Sequence, residues 1–470
     1  MERRAFGRAS GLIAVVVGLS GCEAVGPDYL RPTAIVSSQY KEIKEWKLGE
    51  PRDDLDKGSW WAAFRDAELS TLEAQVAISN QTLKADEANY REAQALIAEA
   101  RAQLYPSLAL DGAAQRSSGS SAASQTEATL SGAASWTPDI WGEVRRTIES
   151  QAAGAQASAA TLDNAKLSAQ SSLATAYYEL RETDQLHDLL GDTVKQYKRS
   201  LDITGNQYHA GTAAQSDFIT AQALVLAAQA QEVNTDVART QFEHAIAVLM
   251  GRPPAGLSIP HGGLGRNLPA LPVGVPSSLL ERRPDVAAAE RTMKQENALI
   301  GVAMASYYPN ITLSGALGAA AFPGVPLSAS NPVWSLGLSL AQTVFNGGLT
   351  DAQVAAARAT YDSSVATYRQ TVLVAIQQVE DELAAVPVLA REESIQDKAV
   401  AAAKQAVQIA LNEYQAGTQN FTTVVTAEAT ALSDEESALT TREQRFAAAV
   451  ALIVALGGGW SEAQLPAEAK

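Results

Sequence analysis

The segment Leu104-Tyr-Pro-Ser-Leu-Ala-Leu-Asp-Gly-Ala113 returns later in the chain as Tyr307-Tyr-Pro-Asn-Ile-Thr-Leu-Ser-Gly-Ala316. A second pair of segments, Tyr208-His-Ala-Gly-Thr212 and Tyr414-Gln-Ala-Gly-Thr418, follows in the same order in the two halves. Self-similarity of this kind is the signature of a repeated structural unit. The sequence therefore predicts one tandem-duplicated protomer, rather than the several domains that 470 residues would allow.

The landmarks also predict how the chain is divided. We expect a first repeat at residues 22–250 and a second at 285–460. The Pro/Gly-rich stretch 251–284 has few helix signals and predicts an irregular connector between them. Residues 461–470 are expected to form a C-terminal tail.

After each Tyr-Pro, apolar and small polar residues alternate, which predicts β-hairpins at about 105–140 and about 308–344. Strands of about ten residues with one apolar face are typical of outer-membrane barrels. Trp136 and Trp334 are expected at equivalent strand ends, where an aromatic belt would lie. The alternative is two half-buried hairpins of a soluble sandwich. Four strands cannot close a barrel alone, but three copies would supply twelve.

Each hairpin is followed by a very long helical pattern. Residues 139–252 contain no proline, and a helix through most of this run would reach about 100 Å. In the second copy we expect a kink or break at Pro387, because proline removes one hydrogen bond of the helix. Gly211 and Gly417 predict the tips of two long helical hairpins, since glycine accepts the left-handed conformation that ends a helix. The fold class is thus mainly α with a small transmembrane β part.

The composition excludes several classes of protein. The net charge of −16 argues against nucleic acid as a partner, because that affinity rests on clustered Lys and Arg. With one cysteine and four histidines, neither an intrachain disulfide nor a Cys/His metal cluster is expected. Apart from the short run at 11–20, no apolar stretch approaches the roughly 20 residues of a membrane-spanning helix.

The N-terminus predicts an exported lipoprotein. Three arginines precede the apolar run and Leu19-Ser20-Gly21-Cys22 follows it, as in a secretory signal peptide. This stretch resembles a bacterial lipobox, which would make residues 1–21 the signal peptide and Cys22 the acylated first residue. Glu23 after the cysteine resembles the class sorted to the outer membrane. The alternative is an ordinary signal with an incidental buried cysteine.

Three motifs carry a resemblance to a known family. They are Val25-Gly-Pro-Asp-Tyr-Leu-Arg-Pro32, Trp60-Trp-Ala-Ala-Phe-Arg-Asp66 and Arg282-Arg-Pro-Asp-Val-Ala-Ala-Ala-Glu290. With the lipobox, their order resembles the TolC-like outer-membrane efflux family, in its NodT-type lipoprotein branch, over essentially the whole mature chain. The resemblance implies a homotrimer whose 12-stranded β-barrel continues into an α-helical barrel across the periplasm.

The resemblance also implies a function and partners. The protein would be the passive exit duct of a tripartite pump for small molecules, lipid-anchored in the outer membrane and reaching into the periplasm. Its partners would be a periplasmic adaptor (membrane fusion protein) and an inner-membrane resistance-nodulation-division transporter. The tips with Gly211, Thr212, Gly417 and Thr418 match the turns that meet the adaptor in the family. No cofactor is implied, and the cargo, whether antibiotics, solvents or metal ions, is left open.

One departure from the family concerns the periplasmic gate. The family commonly closes this end with a ring of Asp residues just beyond the second tip, and this chain has Thr422, Thr423 and Thr426 there. A threonine ring cannot set the cation field of a carboxylate ring, so Thr422 and Thr426 are gate candidates without acidic gating. Asp217 in the first copy is a further gate candidate, with a solvated or ion-paired helix residue as the alternative.

Two other functions compete with the conduit. A periplasmic hydrolase would need a nucleophile and a base, but the sequence has neither G-x-S-x-G nor H-E-x-x-H; no enzyme is expected. An outer-membrane-anchored coiled-coil lipoprotein without a pore is the structural alternative.

Overall fold

The computed structural model describes residues 24–34, 36–37, 39–42, 59–119, 122–266, 268–269, 282–321, 332–461 and 464–465. Cys22 and the predicted signal peptide lie outside these residues. None of the helices in the described ranges has a stretch long and apolar enough to span a bilayer.

The first half of the chain consists of two short helices, two strands and a long helical hairpin. These elements, after a 3-10 turn at Trp60–Phe64, are α1 (Ala67–Ser79), α2 (Gln81–Ala102), β1 (Ser107–Gly119), β2 (Ala122–Trp136), α3 (Glu143–His209) and α4 (Gln215–Leu249). A short 3-10 turn at Pro254–Gly256 follows α4.

The second half repeats the order from α2 onward in its described residues. Its elements are α5 (Pro284–Ala305), β3 (Asn310–Ala321), β4 (Pro332–Ala341), α6 (Leu349–Gln415) and α7 (Phe421–Ala455). Helices α3 and α6 have 67 residues each, α4 and α7 have 35 each, and α2 and α5 have 22 each. The predicted mainly helical, duplicated fold with a small sheet is confirmed.

Pro387 does not break its helix. Helix α6 runs through this residue without interruption, so a break is excluded, whereas a kink at Pro387 stays a prediction. Proline costs one hydrogen bond and about 3 kcal/mol inside a helix, whereas α6 packs along α7 and α5 over many turns. Just before the proline, Val379 and Leu383 are completely buried in an apolar cluster shared with α5. Packing of this amphipathic face decides the conformation, as is usual for helices in folded proteins.

The strands form one antiparallel sheet in the order β1-β2-β3-β4. The two predicted hairpins are present, and β2 also pairs with β3, which joins the two halves into a single sheet. Residues opposite each other share a face of the sheet. By this register nearly all large apolar side chains of the four strands lie on one face, and Val333 lies on the other. The apolar face carries Leu108, Leu110, Leu130, Trp136, Ile311, Leu313, Leu317, Trp334, Leu336, Leu338 and Leu340.

The two strand tryptophans mark different ends of their strands and lie at levels four residues of β3 apart, Trp136 opposite Leu313 and Trp334 opposite Leu317. Trp136 is the last residue of β2, and Trp334 is near the first residue of β4. Because β2 and β4 both pair antiparallel with β3, they run in the same direction. The expectation that the two tryptophans occupy equivalent ends is therefore wrong. Alternation identified the face of each residue, but only the strand directions fix which end it marks.

Two apolar clusters hold the helices near the middle of the molecule. In the larger, the Trp60–Phe64 turn and α1 pack on α3, with Leu69 and Leu173 completely buried. In the second, α5 packs on α6, and Tyr40 from the N-terminal segment joins Val286 and Val372. The sheet lies beyond one end of these clusters and the hairpin tips beyond the other.

Candidate functional site

The two helical tips have the same backbone geometry. In the first, the Gly211 N–H donates to the Tyr208 carbonyl at 2.9 Å and the Thr212 N–H donates to the Gln207 carbonyl at 2.8 Å. The second repeats both bonds at Gly417 and Thr418, at 3.0 and 2.9 Å. This pair of bonds is the Schellman motif, which requires a left-handed residue after the helix. Gly211 and Gly417 supply it, with φ of 76° and 73°.

The structure brings the two tips together. The Gln207 side-chain amide donates to the Tyr414 carbonyl at 3.4 Å across the hairpins. Beneath the turns, Phe421 packs with Tyr414 and with Ala221 of the first hairpin. The backbone turns themselves are exposed, so Gly211, Thr212, Gly417 and Thr418 form one solvent-facing end of the protomer.

The gate candidates lie directly behind these turns. Thr422 and Thr426 are exposed on successive turns at the start of α7, and the Thr426 hydroxyl donates to the Thr422 carbonyl at 2.9 Å. Thr423 is half-buried, and its N–H is capped by the Asn420 side chain at 3.1 Å. Asp217 is half-buried in the first turn of α4. Burial raises the pKa of the Tyr414 hydroxyl and the Asp217 carboxylate adds to the rise, which places Asp217 close to the second tip.

The apolar face of the sheet is uncovered in the protomer. Leu108 and Leu336 are each more than 80% exposed, and Leu110 and Leu338 are similarly open. The opposite face carries mainly Ser, Thr, Ala and Gly, together with Asp111, Gln115, Glu127, Asn310 and Val333. Within the described residues, β1 and β4 have no strand on their outer sides. An open sheet with so many large apolar side chains exposed on one face cannot be the final state of a protein in water.

Two helices of the hairpins also leave apolar stripes uncovered. On α4 the exposed residues Ile219, Leu226 and Val233 follow each other at intervals of seven. On α6 the exposed residues Val388, Ile395 and Ile409 fall on the same seven-residue spacing, with the exposed Ala402 completing the series. A heptad stripe of this kind packs against a partner helix in a left-handed supercoil.

The N-terminal segment is fastened where the sheet meets the helices. Arg146 of α3 is 5% exposed, and its guanidinium donates to the Val25 carbonyl at 3.1 Å and to the Gly26 carbonyl at 3.2 Å. The Val25 N–H in turn donates to the Trp141 carbonyl at 2.9 Å. Ala24 lies so close to Gly142 that a Cβ there would approach the Ala24 Cβ to 2.4 Å. We call residues 24–42 the N-terminal strap.

The sequence analysis did not identify Arg146 or the buried carboxyl groups of the helices. Burial raises the pKa of Glu73 in α1 to about 9, and those of Glu428 and Glu443 in α7 to about 7. The signal for Glu428 was present in the sequence. Val424, Glu428 and Ala431 follow each other at intervals of four and three, so a charged residue occupies an apolar position of the helix.

Within the described ranges, no group of His, Cys, Asp or Glu side chains is placed to hold a metal ion. The features that the described residues leave open to solvent are an apolar sheet face, two apolar helical stripes and a pair of tips.

The comparison with known families decides the assignment. The model of the outer membrane efflux protein family matches residues 72–252 and 275–458, most of both halves of the chain. The chain belongs to the outer membrane efflux protein family. The outer membrane protein OprJ of Pseudomonas aeruginosa is 30% identical over 98% of both chains. Nodulation protein T of Rhizobium leguminosarum bv. trifolii is 28% identical, covering 94% of this chain and 96% of its own.

Solved structures agree with this family assignment. The outer-membrane channel OprN superimposes with a TM-score of 0.85 at 28% identity, covering 93% of this chain and 99% of that one. The open state of the Neisseria gonorrhoeae outer-membrane channel MtrE gives 0.81 at 27% identity, covering 94% and 99%. The chain is therefore an outer-membrane channel protein of an efflux pump, not an enzyme, and the resemblance to this family is confirmed.

Proposed function

We propose that three copies of the chain form one continuous tube, a 12-stranded barrel in the outer membrane and a helical barrel below it, through which small molecules leave the cell passively. The open sheet carries this proposal. Its apolar face suits lipid and its polar face suits a water-filled lumen. Closing three sheets edge to edge would pair β4 of each copy with β1 of the next and leave no edge unpaired in the bilayer.

The helical stripes support the same closure at the level of side chains. Moving away from the tip glycine Gly211, the stripe on α4 is Ile219, Leu226 and Val233. Counted away from the tip glycine Gly417, the stripe on α6 is Ile409, Ala402 and Ile395. Each of these residues is as far in sequence from Gly417 as the corresponding residue of the α4 stripe is from Gly211. With all tips level, the two stripes meet in register when α4 of one protomer lies antiparallel to α6 of its neighbour. Within a protomer α4 packs on α3 and α6 packs on α7, so both stripes are free for this contact.

A lipid anchor at Cys22 is part of the proposal, with residues 1–21 removed as the signal peptide. The strap supports it by position. Ala24 touches Gly142, which lies shortly beyond the end of β2 at Trp136, and two residues span at most about 7 Å. A lipid on Cys22 would thus enter the inner leaflet beside the base of the barrel. Because the chain is held there by Arg146, the acyl chains add to an attachment that the barrel already provides.

The exposed tips are proposed as the contact for a periplasmic adaptor, which would connect the tube to an inner-membrane transporter of the resistance-nodulation-division type. Gly211, Thr212, Gly417 and Thr418 support this assignment because they are exposed, lie together, and carry no charge. Thr422, Thr426 and Asp217 remain gate candidates from the same position. The proposed extents of the two repeats, 22–250 and 285–460, remain predictions.

The decisive experiment is reconstitution. Detergent-purified protein should run as a trimer in analytical ultracentrifugation and conduct ions in planar bilayers. A stable monomer without conductance would overturn the conduit and favour the coiled-coil lipoprotein without a pore. For the anchor, a Cys22→Ser variant should lose incorporation of labelled palmitate; incorporation equal to that of the natural sequence would exclude acylation at Cys22.

A further inference from the structure

The two helical hairpins of one protomer are joined mainly through α3 and α7. We call this contact the inter-hairpin seam. Ser200 on α3 lies before Gly211 in the sequence, and Glu428 on α7 lies after Gly417. The number of residues from side chain to tip glycine is the same in both cases. Both residues are therefore about 16 Å above their tips at a helical rise of about 1.5 Å per residue. At that height the seam joins the two hairpins behind their tips.

Ser200 and Glu428 meet inside the seam. The Ser200 hydroxyl donates to Glu428 Oε1 at 2.5 Å, and the two side chains belong to different hairpins. Glu428 is only 4% exposed and Ser200 only 2%. Glu428 Oε2 is buried and has no hydrogen-bond partner among the described residues. A buried carboxylate with one oxygen unpartnered is costly, whereas a neutral carboxylic acid can occupy the same place.

No basic group compensates Glu428 within the part of the chain that the structure describes. From α3 the titratable neighbour is the Tyr197 hydroxyl, whose pKa is raised by burial and by the carboxylates of Glu428 and Glu436. The α6 residues that pack beside this turn, Ala403 and Val407, are apolar, and Lys404 pairs with Glu435 at 2.7 Å. The α4 residues packed on Tyr197 are the apolar Val225 and Ala228.

We propose that Glu428 is a protonation latch between the two hairpins: as a neutral acid it stays buried where α7 packs on α3, and after it releases its proton to water the charged carboxylate draws water into the seam and the tips part. The latch rests on the proposed function, because parting tips open the tube only if the tube exists. The step breaks the O–H bond of Glu428, and solvent takes the proton.

The electrostatics of the seam agree with this geometry. Burial raises the pKa of Glu428 to about 7, and the hydrogen bond from Ser200 partly offsets the rise. Higher in the seam, burial raises the pKa of Glu443 to about 7, and Glu179 and Glu182 of α3 add to the rise. The seam therefore gains negative charge as the pH passes through neutrality.

The test measures conductance of the reconstituted protein in planar bilayers between pH 5.5 and pH 8.5. With a pKa near 7, the ionised fraction of Glu428 rises about tenfold from pH 6 to pH 8, and the open fraction should rise in proportion. Glu428→Gln keeps a neutral group of the same shape and should hold the low conductance at every pH. The matched control is Asp202→Asn, an exposed carboxylate on α3 near Ser200, which should keep the pH dependence of the natural sequence.

A second variant and a second measurement test the latch independently of the conductance of Glu428→Gln. Ser200→Ala removes the hydrogen bond that favours the ionised form, so the midpoint of the conductance curve should move to higher pH; an unchanged midpoint would overturn the role of Ser200. Amide hydrogen exchange around residues 200 and 428, corrected for intrinsic rates, should accelerate from pH 6 to pH 8 only when Glu428 is present. Equal pH dependence of exchange in Glu428→Gln would overturn the latch, whereas absence of conductance in every variant would overturn the conduit.

Discussion

Replacing Arg146 by methionine should release the N-terminal strap while leaving the helical hairpins in place. The Arg146 guanidinium holds the carbonyls of Val25 and Gly26, and methionine fills much of the same volume without a donor. The other contacts of Arg146 contribute less. Asp28 is 80% exposed, so its ion pair at 2.9 Å is screened by water, and Glu149 is a neighbour on the same helix.

The magnitude follows from the two backbone bonds. A hydrogen bond from a charged donor contributes about 1.5–3 kcal/mol, so losing both should cost about 3 kcal/mol at the lower end. Since about 1.4 kcal/mol corresponds to a factor of ten, protection of the strap amides against hydrogen exchange should fall about 100-fold. The bond from Val25 N–H to Trp141 and the bond from the Asn297 amide to Pro27 remain, so the strap should loosen rather than detach.

The assay is amide hydrogen exchange followed by mass spectrometry on peptides covering residues 24–34 and 150–200. The control is Arg145→Met, because the neighbouring Arg145 bonds Asp139 instead of the strap carbonyls. Arg146→Met should deprotect the first peptide and not the second, and Arg145→Met should leave the strap protected. Equal protection of the strap in both variants would refute the reasoning that Arg146 is its main fastening.

Three further predictions concern the sheet, the protomer contact and the seam. Leu336→Arg on the apolar face should reduce the free energy of folding into the membrane by about 2–4 kcal/mol. The fraction of protein inserted in the membrane, measured by the shift in gel mobility on heating, should fall for Leu336→Arg and not for Ser335→Arg on the opposite face. Cysteines replacing Val233 and Ile395 should cross-link neighbouring protomers under oxidation, and pairing position 233 with 388 instead, one heptad away, should not. The natural protein should lose about 3 kcal/mol of stability between pH 4.5 and pH 7 through Glu428, and Glu428→Gln should abolish this loss. The thermal midpoint of the variant should then depend less on pH; the same pH dependence in both proteins would contradict the prediction.

The sign of the last prediction follows from the pKa of Glu428. The pKa is about 7 in the folded protein, against an ordinary value of 4.5 for a glutamate in water, so the folded state binds more protons between these two pH values. Stability therefore falls as the pH rises through this window, and the contribution is constant below and above it.

Local patterns were sufficient to predict most of the fold. Alternation after each Tyr-Pro identified the strands and the face of each residue, because side chains in a strand alternate with period two. The glycines of the tips predicted the helix ends, since left-handed geometry is local and Gly211 and Gly417 adopt it without tertiary support.

Contacts between distant segments could not be read in the same way. Pairing of β2 with β3 joins residues far apart in sequence, and period two says nothing about which strand lies beside which. The continuity of α6 through Pro387 depends on packing against α5 and α7, which outweighs a local preference. Arg146 gave no signal because two of its partners in the strap are the backbone carbonyls of Val25 and Gly26, a group that every residue possesses.

The duplication also explains why the proposed latch would act within protomers and not between them. In a ring of three duplicated chains, α3 with α7 and α4 with the neighbour's α6 are equivalent contacts. When the two repeats are aligned so that Gly211 matches Gly417, Ser200 matches Ala406 and Glu428 matches Gln222. Neither Ala406 nor Gln222 can ionise, so three of the six seams would respond to pH and three would stay closed. Each protomer would then open between its own hairpins while the contacts between protomers keep the tube intact.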